Sequence, residues 1–104
     1  MQFMVWRSGP MSGYWIVRCQ YNDEVAFLEY ASKATSVVEQ FKGEFLVRGG
    51  EQFQMEEGDY ERTVMVRFPS LEIAQQAYAS EEYKEALKII ESNANRDFII
   101  TGGL

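Results

Sequence analysis

Four short segments of the chain are rich in β-branched and aromatic residues and alternate between two sides, as β-strands do. They cover residues 14–20, 44–48, 62–68 and 97–101. Gly49 and Gly50 interrupt the second segment, and a glycine pair inside a strand is typical of a bulge or a sharp bend. One interpretation is that this strand resumes over residues 52–56. The second and third strands are then expected to pair as a hairpin.

Helical spacing fills the intervals between these strands. Apolar residues recur every three or four positions over residues 24–42, which predicts an amphipathic helix capped by Asn22 or Asp23. We interpret Gly43 as the left-handed glycine that ends this helix. Two further helical segments are predicted over residues 71–79 and 81–92, with Ser70 and Ser80 as their caps.

The resulting order, β-α-β-β-α-β, predicts a ferredoxin-like α+β fold with a four-stranded antiparallel sheet covered on one face by helices. Because successive strand residues point to opposite faces, one parity should identify the face beneath the helices. The residues of that parity are nearly all apolar. They are Trp15, Val17, Cys19, Phe45, Val47, Val64, Val66, Phe68, Phe98 and Ile100.

The opposite parity mixes apolar residues with arginines. Its members are Ile16, Arg18, Leu46, Arg48, Met65, Arg67 and Ile99. A sheet face open to water is normally mostly polar, and burial of one large apolar side chain stabilises by about 1.5–3 kcal/mol. A second copy of the chain would cover this face in both protomers through an isologous interface. We therefore expect a homodimer whose sheets pack face to face.

Composition and charge narrow the classes of function. A chain of 104 residues, 46% hydrophobic and 25% charged, is typical of one globular domain. Histidine is absent, which excludes Ser-His-Asp and Cys-His catalytic groups and metal sites that need imidazole. The net charge of −6 disfavours nucleic acid as a partner. Since the sequence contains no phosphate-loop motif or metal-ligand spacing, we expect no metal and no cofactor.

Two further features bear on location and domain limits. The single cysteine, Cys19, cannot form an intrachain disulfide, and no apolar run approaches the length of a membrane span, so we expect a cytoplasmic protein without membrane contact. Met11 stands directly before the first patterned segment. We interpret residues 1–12 as an N-terminal extension or tag-like segment and residues 13–104 as a single domain.

Several segments resemble those of a known family. They are FLVRGG at residues 45–50, VRFPSLEIAQQAY at 66–78 and SEEYKEAL at 80–87, with YWI at 14–16 before them. In this combination they resemble domain-of-unknown-function family 1330, over residues 13–103. The resemblance implies a dimeric α+β barrel. It also implies kinship with cofactor-free monooxygenases, stress-responsive barrel proteins and muconolactone-isomerase-type enzymes, but it brings no agreed catalytic residue.

The resemblance also singles out individual positions. Those that match the family pattern are Tyr30, Arg48, Gly49, Gly50, Phe68, Pro69, Ser70 and Tyr83. The glycines, Phe68, Pro69 and Ser70 also have structural explanations, because they would bend a strand, fill the core or start a helix. The two tyrosines lie on apolar helix faces, where the ring packs and the hydroxyl needs a partner. Tyr30, Arg48, Ser70 and Tyr83 are the candidate ligand-binding residues.

Arg18, Arg48 and Arg67 share one strand parity, so two or three of them could converge on a carboxylate or phosphate. The alternative is that they pair with acidic residues across the dimer interface. Arg48 is the favoured candidate, because the backbone amides of Gly49 and Gly50 could add to an anion site.

Two functions remain open. In the first, a homodimer binds a small acidic or aromatic organic ligand in a pocket between sheet and helices. In the second, the protein is a cofactor-free monooxygenase or isomerase-like enzyme acting on a small aromatic compound or a lactone. Such an enzyme would rely on positioning and electrostatics, with a tyrosine or a glutamate such as Glu82 transferring the proton. Cys19 has the inward parity and is expected to be a core residue.

Overall fold

The computed structural model describes residues 11–104, which fold in the predicted order of elements. These are β1 (Ser12–Tyr21), α1 (Glu24–Gln40), β2 (Glu44–Arg48), β3 (Arg62–Phe68), α2 (Leu71–Ala79), α3 (Glu81–Ile90) and β4 (Ala94–Gly103). The strands lie in the order β2-β3-β1-β4, and each neighbouring pair is antiparallel. The ferredoxin-like α+β fold is therefore confirmed. The predicted extension, residues 1–12, lies outside the described residues except for Met11 and Ser12.

Each helix begins at a side chain that caps its first turn. The caps are Asp23, which accepts from the Ala26 amide at 3.1 Å, Ser70, which accepts from Ile73 at 3.1 Å, and Ser80, which accepts from Tyr83 at 3.2 Å. Such caps satisfy amide groups that have no partner within the helix. Within residues 11–104, no helix combines the length and apolarity that crossing a bilayer requires.

The end of α1 differs from the prediction that Gly43 is its left-handed residue. The left-handed residue is Lys42, with φ 62°, and its amide donates to the Glu39 carbonyl at 3.1 Å. The Gly43 amide donates to the Val38 carbonyl at 2.7 Å, which completes a Schellman motif. Glycine is required at position 43 because the core leaves no room for a side chain there. A Cβ would lie 2.8 Å from side-chain atoms of both Phe68 and Val38.

The core lies between the sheet and the helices, with Trp15 of β1 at its centre. The Trp15 ring packs at centroid distances of 4.9 Å from Phe68, 4.9 Å from Tyr83 and 5.3 Å from Phe98. Its indole nitrogen donates to the Ala74 carbonyl of α2 at 2.9 Å, so the buried polar group is satisfied. The predicted inward parity is thereby confirmed for β1, and Val66 and Phe68 of β3 are buried beside it.

A β-bulge in β2 reverses the parity of its last residues. Phe45 pairs with Val66, but Val47 pairs with Met65 and Arg48 with Val64, so one residue is inserted between the two registers. Directly opposed residues of an antiparallel pair point to the same face. Val47 therefore shares the open face with Met65, and Arg48 shares the helix-facing side with Val64. The predicted inward Val47 and outward Arg48 are both wrong.

The chain between β2 and β3 is a loop, and the predicted resumption of the strand over residues 52–56 is wrong. Gly49 has φ 72°, which turns the chain away from the sheet edge. Side chains hold the loop afterwards: Gln52 donates to the Tyr60 carbonyl at 2.9 Å, and Gln54 accepts from Arg18 at 2.6 Å.

Candidate functional site

A cavity lies between α1 and the helix-facing side of the sheet, and all four strands contribute to its walls. The volume of this cavity is about 50 Å³, several times the roughly 10–15 Å³ that one water molecule needs. The walls are mostly aliphatic and aromatic side chains. Three arginines, Arg48 of β2, Arg62 of β3 and Arg96 of β4, interrupt this apolar lining.

Arg48 reaches the cavity because the bulge in β2 turns it toward the helices. Its guanidinium donates to the Thr35 hydroxyl of α1 at 2.7 Å and lies 4.1 Å from the centroid of the Phe45 ring. Arg48 is exposed, so it marks the open end of the cavity. The amide of Gly49 donates to the Thr63 carbonyl at 2.9 Å. The expected contribution of that amide to an anion site is therefore wrong.

Arg62 is the first residue of β3 and points beneath the N-terminal half of α1. Its guanidinium carbon lies 4.8 Å from the centroid of the Phe27 ring, a cation–π contact. Its Nε is buried and has no hydrogen-bond partner among the described residues. Gly49 allows this position, because a Cβ on Gly49 would overlap the Arg62 guanidinium.

Arg96 joins two tyrosines at the β4 side of the cavity. One of its terminal nitrogens lies 3.2 Å from the Tyr30 hydroxyl and 3.1 Å from the Tyr83 hydroxyl. The two hydroxyls are 2.6 Å apart. Burial, which outweighs the opposing charge of Arg96, raises the pKa of Tyr30 and of Tyr83 above the ordinary value. Both phenols are therefore protonated at neutral pH and can donate hydrogen bonds.

Cys19 lies between two of these arginines. Cys19 of β1 is paired with Arg62 of β3 on one side and with Arg96 of β4 on the other. The three side chains therefore form one row on the helix-facing side of the sheet. Cys19 is fully buried, and burial raises the pKa of its thiol despite the lowering by the nearby arginines. It is therefore a protonated core residue between the two arginines.

The candidate residues predicted from the sequence occupy different parts of the structure. Tyr30 and Arg48 line the cavity, and Tyr83 lies behind Tyr30 in contact with its hydroxyl. Ser70 is the cap of α2 and is not among the lining residues. Glu82 lies in the exposed first turn of α3.

The predicted convergence of Arg18, Arg48 and Arg67 is wrong. Arg18 and Arg67 lie on the open face, whereas the bulge places Arg48 on the opposite one. Arg67 forms an ion pair with Glu44 of its own chain at 2.6 Å, and Arg18 donates to Gln54.

Sequence reasoning missed Arg62 and Arg96, although a signal for each was present. Arg62 has the same parity as Val64 and Val66, which the alternation places on the helix-facing side. Arg96 has the same parity as Phe98, but the predicted fourth strand began one residue too late to include it. β4 in fact begins at Ala94.

The site has a surplus of positive charge and of hydrogen-bond donors. Two ion pairs occur within residues 11–104, and neither includes Arg48, Arg62 or Arg96. Residues 1–10 contain no aspartate or glutamate. Within residues 11–104, no group of three or more acidic or cysteine side chains is arranged to hold a metal ion. The arrangement is suited to an anion with several acceptor oxygens.

Comparisons with known proteins place this architecture among small ferredoxin-like proteins. The model of a family called Domain of unknown function (DUF1330) matches residues 12–104. No curated protein matches the chain. A protein of unknown function from Rhodopseudomonas palustris, RPA0582, has a similar structure, with a TM-score of 0.76 and 13% identity over 92% of this chain and 85% of that one.

Two other solved structures share the fold at low identity. A dimeric ferredoxin-like protein of unknown function from Thermobifida fusca YX has a TM-score of 0.53 and 15% identity over 89% of this chain and 92% of that one. SnoaB, a cofactor-independent oxygenase from Streptomyces nogalater, has a TM-score of 0.57 and 6% identity over 88% of this chain and 91% of that one. At such identities the likeness concerns the fold alone.

Proposed function

The chain belongs to the DUF1330 family of domains of unknown function, and from the geometry of its cavity we propose that it binds a small organic acid. The ligand is an anion with an apolar or aromatic body, held between α1 and the sheet. The observation that carries this proposal is the group of Arg48, Arg62 and Arg96, which line one cavity without a carboxylate partner among the described residues.

Charge supports an anionic ligand. The chain has a net charge of −6, so acidic side chains are plentiful, yet within residues 11–104 none forms an ion pair with these three arginines. Buried charges are normally paired, because desolvation makes an isolated charge unfavourable. Arg62 and Arg96 each have a buried Nε that finds no hydrogen-bond partner in the described part of the chain. A carboxylate in the cavity would accept from such groups and neutralise part of the charge.

The remaining walls support a small apolar body. Side chains such as Val17, Phe27, Val64 and Phe98 line the space between the arginines. A mostly apolar pocket with a few convergent polar groups is the usual form of a small-molecule site. The volume of about 50 Å³ limits the ligand to a small molecule, so a short-chain acid fits within the cavity and a single-ring acid would extend through the open end at Arg48.

Calorimetric titration with benzoate tests this proposal. We expect Arg62→Gln to weaken benzoate binding about tenfold or more, because the charged donor of a carboxylate is lost. The matched control is Arg67→Gln, which removes an arginine near the other end of β3 whose side chain faces the opposite side of the sheet. This control should change the dissociation constant by no more than about twofold.

Benzamide serves as the neutral probe of the same shape and should bind the wild type more weakly than benzoate. Circular dichroism of both variants would verify that they fold. Absence of binding by benzoate and by acetate-to-hexanoate carboxylates would contradict the proposal, as would equal losses in the two arginine variants.

We also propose that the functional unit is a homodimer. The open face of the sheet carries Leu46, Val47 and Ile99 with 42%, 36% and 49% of their surface exposed. Exposed apolar residues grouped on one sheet face are typical of a protein interface. The dimeric ferredoxin-like protein from Thermobifida fusca YX, which shares the fold, supports this state.

A second candidate function is that of a cofactor-free oxygenase or isomerase acting on a small aromatic compound or lactone. The cluster of Tyr30, Tyr83 and Arg96 favours it, because donors fixed in a buried site can stabilise negative charge that develops on a substrate oxygen. SnoaB shares the fold and is a cofactor-independent oxygenase. Oxygen uptake or isomerisation with phenols and lactones, lost in Tyr30→Phe, would support this candidate.

A further inference from the structure

The hydroxyl pair of Tyr30 and Tyr83 leaves one hydrogen without an acceptor. Arg96 donates to both oxygens, and one hydroxyl donates to the other across 2.6 Å. Each phenol carries one donor hydrogen. One of the two is used within the pair, and no acceptor for the second occurs among the hydrogen bonds of residues 11–104.

The two directions of the hydroxyl–hydroxyl bond have different consequences. If Tyr30 donates to Tyr83, the unused hydrogen belongs to Tyr83, which is fully buried and does not line the cavity. If Tyr83 donates to Tyr30, the unused hydrogen belongs to Tyr30, which lines the cavity. A buried donor without an acceptor is unfavourable. Only the second direction gives the hydrogen access to an acceptor in the cavity.

We infer that Tyr83 donates to Tyr30, and that the Tyr30 hydroxyl is the donor that recognises a negatively charged oxygen of the ligand. In this arrangement the Tyr30 oxygen accepts from both Tyr83 and Arg96, which polarises its own O–H bond. The Tyr83 oxygen accepts from Arg96 and donates to Tyr30. The Arg96 terminal nitrogen and both hydroxyls then each have an acceptor once a ligand is bound.

This inference rests on the proposed function and specifies the ligand further. We assign the acceptor at Tyr30 to the single oxygen of a small phenolate or enolate, because Tyr30 offers one hydrogen and the guanidinium behind it favours negative charge. A protonated hydroxyl would bring a second donor into a site already rich in donors. The site therefore selects the deprotonated form of an ionisable phenol or enol.

Absorbance titration of 4-nitrophenol tests the inference, since its phenolate is coloured and its phenol is not. Wild-type protein should lower the apparent pKa of bound 4-nitrophenol. In Tyr30→Phe the phenolate should bind about tenfold or more weakly, which is the effect of losing a hydrogen bond to a charged group. Tyr78→Phe is the matched control: it removes the hydroxyl of a partly exposed tyrosine that neither lines the cavity nor belongs to the pair, so the phenolate affinity should change by no more than about twofold. The neutral 4-nitroanisole should bind all three proteins alike.

Proton NMR of the wild-type complex gives a reading that does not depend on how the variants fold. A downfield hydroxyl proton with contacts to the rings of Tyr30 and 4-nitrophenolate is expected. Contacts of that proton to Tyr83 and not to Tyr30 would overturn the inference.

The remaining outcomes separate the inference from the proposal on which it rests. Equal phenolate affinity in the wild type and Tyr30→Phe would overturn the inference and leave arginine-dependent benzoate binding intact. Failure of 4-nitrophenolate to bind a protein that binds benzoate would also overturn the inference alone. If neither anion binds the wild type, the proposed function fails as well.

Discussion

Arg62 lies against Gly49 because that residue has no side chain. A Cβ at this position would overlap the Arg62 guanidinium, and the φ of 72° is one that other residues adopt at a cost. At the neighbouring Gly50, no described residue other than its two chain neighbours has an atom within 4 Å of the place where a Cβ would be. Two adjacent glycines therefore have different roles.

Substitution of these glycines separates the roles. We expect Gly49→Ala to lower the free energy of unfolding by about 1–2 kcal/mol, from the left-handed backbone alone, and to weaken benzoate binding by displacing Arg62. Gly50→Ala is the matched control and should change the stability by less than about 0.5 kcal/mol. Urea denaturation and calorimetry measure the two effects. Equal stabilities of the two variants would contradict this account of Gly49.

At the scale of single elements, the bulge in β2 decides which arginine reaches the cavity. Without the register shift between Phe45 and Val47, Arg48 would point to the open face together with Arg18 and Arg67. Gly49 and Gly50 correctly indicate an irregularity in this strand. The bulge, however, lies before them, within residues 45–48 (FLVR), whose sequence has the pattern of a regular strand. Its position depends on the hydrogen bonds that β2 forms with β3, which the sequence of β2 alone does not contain.

The end of α1 gives a second test at this scale. Lys42 adopts φ 62°, a conformation that disfavours residues with a Cβ. We expect Lys42→Gly to stabilise the protein by about 0.5–1 kcal/mol, since relief of the left-handed strain exceeds the entropy lost by glycine.

The control for this substitution is Gln40→Gly, in the last residue of α1, which should destabilise by about 0.5–1 kcal/mol because that residue is helical. Thermal and urea unfolding measure both. A loss of stability in Lys42→Gly would show that the Lys42 side chain makes contacts that outweigh the backbone strain.

At the scale of the whole molecule, the helices differ in what they pack against. α2 packs on the sheet and α1 packs mainly along α3, so the cavity remains between α1 and the strands. The three cavity arginines each contact a different residue of α1: Arg62 contacts Phe27, Arg96 contacts Tyr30, and Arg48 contacts Thr35. The site thus depends on how far α1 stands from the sheet, which is a property of the assembled fold.

The open face of the sheet leads to a prediction about assembly. We expect Ile99→Asp to weaken the proposed homodimer at least a hundredfold, because a carboxylate would be buried against the apolar face of the second copy. Val25→Asp is the matched control: Val25 is apolar and 76% exposed, but it lies on α1. Sedimentation equilibrium measures both. A wild-type protein that is monomeric at micromolar concentration would contradict the prediction.

Local patterns in the sequence determined the order of the elements, the helix caps and the inward parity of β1, β3 and β4. These features follow from residues that are neighbours in the chain, because side-chain periodicity and capping act over a few positions. The sequence indicates Tyr30 as a candidate, but nothing local to it indicates Arg96, which is 66 residues away.

The tertiary structure alone decided the composition of the cavity. The shift in β2 turned Arg48 inward, pairing of β1 with β3 and β4 aligned Arg62, Cys19 and Arg96, and the packing of α1 on α3 joined the two tyrosine hydroxyls. Each of these depends on the register and spacing between elements that are distant in the chain, which sequence periodicity does not encode.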